Sequence, residues 1–198
     1  KLLTGQHHPI EIAFYRSMIS LLILLGFFAA TKNFSLIKTK MPIPMALRVV
    51  IGTTGVILTF AAAQELPMSN ATVLFFASTL ILPVLAIIFL KEHVGWHRWG
   101  AIIIGMIGVV IAAQPDAQVS MIGVALALGA ACVHATVQVL IRLMRSENPL
   151  TITFYFFLGG ILMCGAFMPW LAHMPSTASA LVILGIGFSG ALGQYFMT

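Results

Sequence analysis

Charge is what this sequence has least of: 8% of its 198 residues are Asp, Glu, Lys or Arg, against 60% that are apolar. A soluble domain carries roughly a quarter charged residues and just under half apolar ones. A sphere of this size has too little interior to hide so many apolar side chains from water. The shortage of charge therefore excludes a soluble globule, a disordered chain and a nucleic-acid binder. Cysteine is nearly absent too. Cys132 and Cys164 both sit inside apolar runs, support neither a disulfide framework nor a zinc spacing, and read as small buried hydrophobes. No signal peptide opens the chain. What is present is long, continuous hydrophobicity without dyad alternation, the pattern of membrane helices rather than of a barrel.

A membrane helix needs about 20 mostly apolar residues. Seven stretches qualify, at roughly 10–31, 45–65, 70–90, 96–114, 119–141, 150–172 and 177–198. The gaps carry helix breakers: His8-Pro9, Met41-Pro42-Ile43-Pro44, Pro67 to Asn70, Pro115-Asp116, Asn148-Pro149 and Met174-Pro175-Ser176. Proline cannot continue a helix and restricts the residue before it. Ser69 or Asn70, Ser120 and Ser176 are expected N-caps. The gaps are too short to fold alone, so the expectation is one polytopic membrane domain. The start at Lys1 and the end at Thr198 inside an apolar stretch read as a piece of a longer protein.

The few cations set an orientation. Lys32, Lys38, Lys40, Arg48, Lys91, Arg98, Arg142 and Arg145 flank alternate gaps, and only Lys1 and Arg16 fall on the other side. By the positive-inside rule those three gaps are cytoplasmic, and the first stretch runs from outside to inside.

An internal repeat is visible. Pro9-Ile-Glu-Ile-Ala-Phe-Tyr15 lies on Pro149-Leu-Thr-Ile-Thr-Phe-Tyr155, with Pro, Ile, Phe and Tyr shared at an offset of 140. Ile51-Gly-Thr-Thr-Gly55 lies on Ile186-Gly-Phe-Ser-Gly190 at an offset of 135. The charge rule puts Pro9 outside and Pro149 inside. Two halves separated by an odd number of spans are oppositely oriented, the inverted repeat of secondary transporters. The spacing predicts five spans per half, with residues 1–114 in the first repeat and 115–198 in the second. The fold expected is an all-α membrane protein, a polytopic helical bundle of inverted five-helix repeats with about seven of ten spans present.

With these residues in view, the sequence resembles the EamA branch of the drug/metabolite transporter superfamily. The resemblance is carried by Phe14-Tyr15-Arg16, the stretch Ala61-Ala-Ala-Gln-Glu-Leu-Pro-Met-Ser-Asn-Ala71, and Phe75-Phe76 followed by Pro83. Further matches are Leu90-Lys-Glu-His-Val-Gly-Trp-His-Arg-Trp-Gly100, Gly105-Met-Ile-Gly108 and Gly190-Ala-Leu-Gly-Gln194. Leu90-Lys91-Glu92 departs from the family's Leu-Gly-Glu. The resemblance implies ten helices, cytoplasmic termini and a central cavity between the halves. It leaves the substrate open among amino acids, nucleosides, vitamins and other metabolites.

Polar groups in hydrocarbon are costly and tend to face a wet cavity or the bundle interior. Depth along each stretch picks out Thr53 and Thr54, Ser78 and Thr79 with Pro83 one turn on, His134 and Gln138 on one face, and Gln194-Tyr195. Thr54, Ser78, Thr79, Pro83, His134, Gln138, Gln194 and Tyr195 are the expected substrate-binding positions. Pro83 leaves the Thr79 carbonyl without its helical partner, available to a substrate or to packing. The same hydroxyls can instead bond back to the backbone, and His134 can serve a plain interhelical hydrogen bond. Arg16 and Glu65 are expected anchors near the outer mouth, Arg16 snorkelling or pairing with Glu11 or Glu65. Gly52, Gly55, Gly187 and Gly190 would ease sliding contacts.

No carboxylate lies in mid-membrane within this sequence, so proton coupling through Asp or Glu has no support within it; coupling could use His134, reside in further spans, or be absent. Gly185-Ile-Gly187-Phe-Ser-Gly190 fits a dinucleotide motif in letters only, lacking the preceding strand. His93 and His97 do not match zincin order, and His7-His8 lacks a third ligand. No catalytic residue, metal or cofactor is expected.

The function expected is transport of a small organic metabolite, secondary active or facilitative, by alternating access. The setting is the lipid bilayer of a bacterial inner (plasma) membrane, crossed several times. Partners are the substrate and lipid, with no nucleic acid, and a homodimer stays open. An intramembrane enzyme would need an oriented pair, for which Ser78 and His134 are the sole candidates. A channel would need a continuous polar lining.

Overall fold

The computed structural model describes residues 8–32, 38–90, 95–113, 120–171 and 177–197. Expectations placed on His7, Lys91, Glu92, His93, Pro115, Asp116, Ser176 and the side chain of Tyr195 lie outside the described residues. Eight helices follow in order among them: α1 Pro9–Thr31, α2 Pro42–Glu65, α3 Met68–Leu90, α4 Trp96–Ala113, α5 Met121–Leu143, α6 Pro149–Gly165, α7 Met168–Leu171 and α8 Thr177–Met197. Four of them, α1, α2, α3 and α5, are long and apolar enough to cross a membrane. Shorter apolar helical segments run over Trp99–Gly108, Pro149–Gly165 and Val182–Gln194.

The helix ends follow from local chemistry. Pro9 and Pro149 open α1 and α6 at the first helical positions, where a missing N–H costs nothing. The Nδ1 of His8 accepts from the Ile10 N–H at 3.3 Å, and the Oδ1 of Asn148 accepts from the Leu150 N–H at 2.9 Å. The two copies of the repeated motif thus begin with the same cap. Ser120 caps α5 as expected, accepting from the Gly123 N–H at 3.2 Å.

Three boundaries differ from the sequence reading. Helix α2 starts at Pro42, inside the Pro-Ile-Pro segment read as a gap, because both prolines fall in its first turn. Helix α3 starts at Met68, so Ser69 and Asn70 lie within its first turn rather than capping it. The stretch read as one span over 150–172 is split: α6 ends at Gly165 and α7 begins at Met168. Pro169 explains the break, since in a continuing helix it would leave the Gly165 carbonyl without a donor and its ring would clash there.

The helices gather into two compact units, Thr54–Leu143 and Leu2–Thr53 with Met144–Thr198, and α2 passes from one to the other. In the first unit, α3 packs on α5 and on α4. Its core is Ala62, Leu66, Ala71, Leu74 and Ala127, flanked by Phe75, Val124 and Leu126. Small residues let backbones approach: a Cβ at Gly123 would meet Leu66 Cγ at 2.7 Å, and one at Gly105 would meet Leu80 Cδ2 at 2.7 Å.

In the second unit, α1 packs on α6 and on α8. The close neighbours Phe14 with Gly165, Ser17 with Gly160, and Phe28 with Phe154 ascend one helix as they descend the other. Helices α1 and α6 are therefore antiparallel, with Pro9 and Pro149 at opposite ends of the pair. The Glu147 carboxylate joins two connections, its Oε1 accepting from Thr39 Oγ1 at 3.0 Å and from the Met41 N–H at 2.8 Å, just before α2. An acid there satisfies donors that the helix start leaves open.

Candidate functional site

The two units differ in what they bury. Among the described residues of the first, Ser78 is the buried polar side chain; the second buries Glu11, Ser17, Ser20, Arg48, Thr53, Glu147, Thr151, Thr153 and Gln194. Burying such groups costs several times what burying a methylene returns unless each finds a partner.

The most concentrated part of this polar core lies among α1, α2, α6 and α8. Arg48 is 1% exposed although it lies about 9 Å into α2. Its guanidinium runs up its own helix to Gly52 and stacks on Phe156 of α6, 4.3 Å from the ring centroid. A Cβ at Gly52 would collide with Arg48 Nη1, so glycine there makes room for the side chain to lie along the helix. Phe156 supplies a cation–π contact, yet Nε and Nη1 of Arg48 have no hydrogen-bond partner.

Arg16 of α1 lies against Gly190 of α8, with its Nη1 also lacking a hydrogen-bond partner. One turn along α6 from Phe156, Gly160 leaves space filled by Ser17 of α1 and Thr53 of α2, whose oxygens lie 2.8 and 3.8 Å from where its Cβ would be. Ser17 donates to the Ala13 carbonyl at 2.8 Å, and Ser20 donates across to the Gly187 carbonyl of α8 at 2.7 Å. The Thr53 hydroxyl, 3% exposed, has no partner. Nearby in the same unit, Ile23, Phe27, Thr153, Phe157, Phe188 and Leu192 help line a largely apolar cavity of about 270 Å3.

Of the residues expected to bind substrate, six fall in the first unit and two in the second. Ser78 donates to the Phe75 carbonyl at 2.7 Å, and Thr79 donates to the Phe76 carbonyl at 2.7 Å. Such back-bonding is the bland alternative for helical hydroxyls. Pro83 is half-buried within a continuous α3, Gln138 is half-buried, and Thr54, Thr79 and His134 are exposed. Gln194 is buried in the second unit; Tyr195 belongs to α8 beside it.

The expected anchors separate. Glu65, exposed at the end of α2, accepts from Ser120 Oγ at 3.1 Å. Arg16 is half-buried against Gly190, and Glu11, on the same helix, is fully buried. Arg48 was grouped by sequence with the loop charges. The signal that marks it is its position six residues past Pro42, once the prolines are placed inside the helix. Among the described residues no group of three or more His, Cys, Asp or Glu could hold a metal ion.

Residues 1–114 match the EamA-like transporter family. The S-adenosylmethionine uptake transporter of Rickettsia bellii is 33% identical over 118 residues, which are 60% of this chain and 40% of that protein. That of Rickettsia conorii is 27% identical over 203 residues, all of this chain and 67% of that one. The match thus spans less than half the length of the first of these relatives. A protein of known crystal structure superposes with a TM-score of 0.70 at 15% identity, covering 98% of this chain and 69% of the other, which is a likeness of fold.

Proposed function

The chain belongs to the EamA-like transporter family, and from that premise we propose that it carries a small organic metabolite across a bacterial inner membrane by alternating access. That it is a multi-pass membrane transporter follows from the family and the apolar helices. The observation that carries the finer reading is the polar core of the second unit, where α1, α2, α6 and α8 surround hydrogen-bonding groups without protein partners. Such groups are expensive in hydrocarbon and are kept where a substrate completes them.

Two further observations support alternation between inverted halves. The repeated motif opens α1 and α6 with the same proline and the same side-chain cap, and those helices run antiparallel. The first repeat then occupies residues 1–114 and the second 115–198. The relatives' substrate, S-adenosylmethionine, is the first compound to try.

The test is counterflow with the full-length protein in proteoliposomes preloaded with S-adenosylmethionine. Saturable exchange of external label supports a carrier. Linear, non-saturating flux points to a channel, and conversion of the label to a new compound points to an enzyme.

A further inference from the structure

Resting on the transporter reading only for the word substrate, we propose that Arg48 is a docking point for the carboxylate of a carboxylate-bearing metabolite. Arg48 is 1% exposed, and two of its three guanidinium nitrogens have no hydrogen-bond partner. Its planar fork matches a carboxylate in two parallel hydrogen bonds, and the face is already occupied by Phe156. Thr53, buried with its hydroxyl unpartnered, adds a donor from the same helix.

Charge points the same way. An uncompensated buried charge costs several kcal/mol, and a carboxylate on the buried Arg48 fork supplies the opposite charge. Gly52, Gly160 and Gly190 keep the groups free of intruding side chains, since a Cβ at each would strike Arg48, Ser17 or Arg16.

Binding is measured apart from transport, so the two readings fail separately. Full-length protein in nanodiscs is melted with acetate, succinate or N-acetylmethionine, with the matching amides, and with inorganic phosphate, at equal ionic strength. The expected result is a saturable rise in midpoint with at least one acid and none with its amide. Arg48→Gln should weaken that acid by about a hundredfold, and Arg48→Lys, which keeps the charge but loses the fork, by about tenfold. Phenylglyoxal labelling of Arg48 in the unaltered protein, read by mass spectrometry, keeps the test alive if Arg48→Gln does not fold: the acid should slow it and the amide should not. Amides acting as well as acids, phosphate acting in their place, an acid effect undiminished in Arg48→Gln, or no acid altering either readout would overturn the proposal. Exchange of a neutral compound with no acid bound would leave the carrier standing and this inference refuted.

Discussion

The two units of this molecule are made of the same apolar helices and put them to different use. In Thr54–Leu143, hydroxyls are returned to their own backbone, Thr59 to Gly55, Thr72 to Met68, Ser78 to Phe75, Thr79 to Phe76 and Thr136 to Cys132. The seam between α3 and α5 closes over alanines and leucines. In the other unit, Arg48 and Thr53 are buried with donors that have no hydrogen-bond partner. Among the described residues, the first unit's buried Ser78 is bonded, while the second unit keeps the Arg48 and Thr53 donors open. A scaffold minimises unpaired groups, while a binding site holds them ready at a cost in stability.

That contrast is broken most severely at a glycine. Gly160→Val would press a branched side chain into Ser17 and Thr53, at a loss of about 3 kcal/mol. In the first unit Gly108→Ala meets nothing within 4 Å and should stabilise its helix by about 0.5–1 kcal/mol. Thermal midpoints of the two variants check both signs. Next in size, Glu147→Ala strips the acceptor from Thr39 and the Met41 N–H and should cost about 2 kcal/mol, read in the same way.

Thr53→Val sharpens the comparison. Removing an unpartnered buried hydroxyl should leave the midpoint unchanged or slightly raised, yet lower substrate affinity about tenfold, the worth of one hydrogen bond. A merely structural hydroxyl would lose stability and leave affinity alone. The smallest effect is expected at Thr79→Val, where an exposed, back-bonded hydroxyl is removed: under about 0.5 kcal/mol of stability, with counterflow unchanged.

The seven apolar stretches were legible because lipid demands length and prolines mark ends, and the helices fall on them within a few residues apart from the break at Pro169. What sequence could not supply was azimuth. These helices are apolar nearly all round, so depth selects Thr54, Ser78 and Thr79 as readily as Thr53 and Ser17, and only packing decides which of them turn inward. Arg48 was hidden for a different reason. A charge six residues into a helix reads as a flank when the helix is taken to start after its prolines rather than at them.

The central claim is that the substrate completes the polar core of α1, α2, α6 and α8. A structure of the full-length protein with transported substrate bound tests it most directly, through the distance from the ligand to the Arg48 guanidinium. The account predicts a ligand oxygen within about 3 Å of Arg48 Nε or Nη1. A ligand seated against Ser78, His134 and Gln138, with Arg48 still without a hydrogen-bond partner, would contradict it.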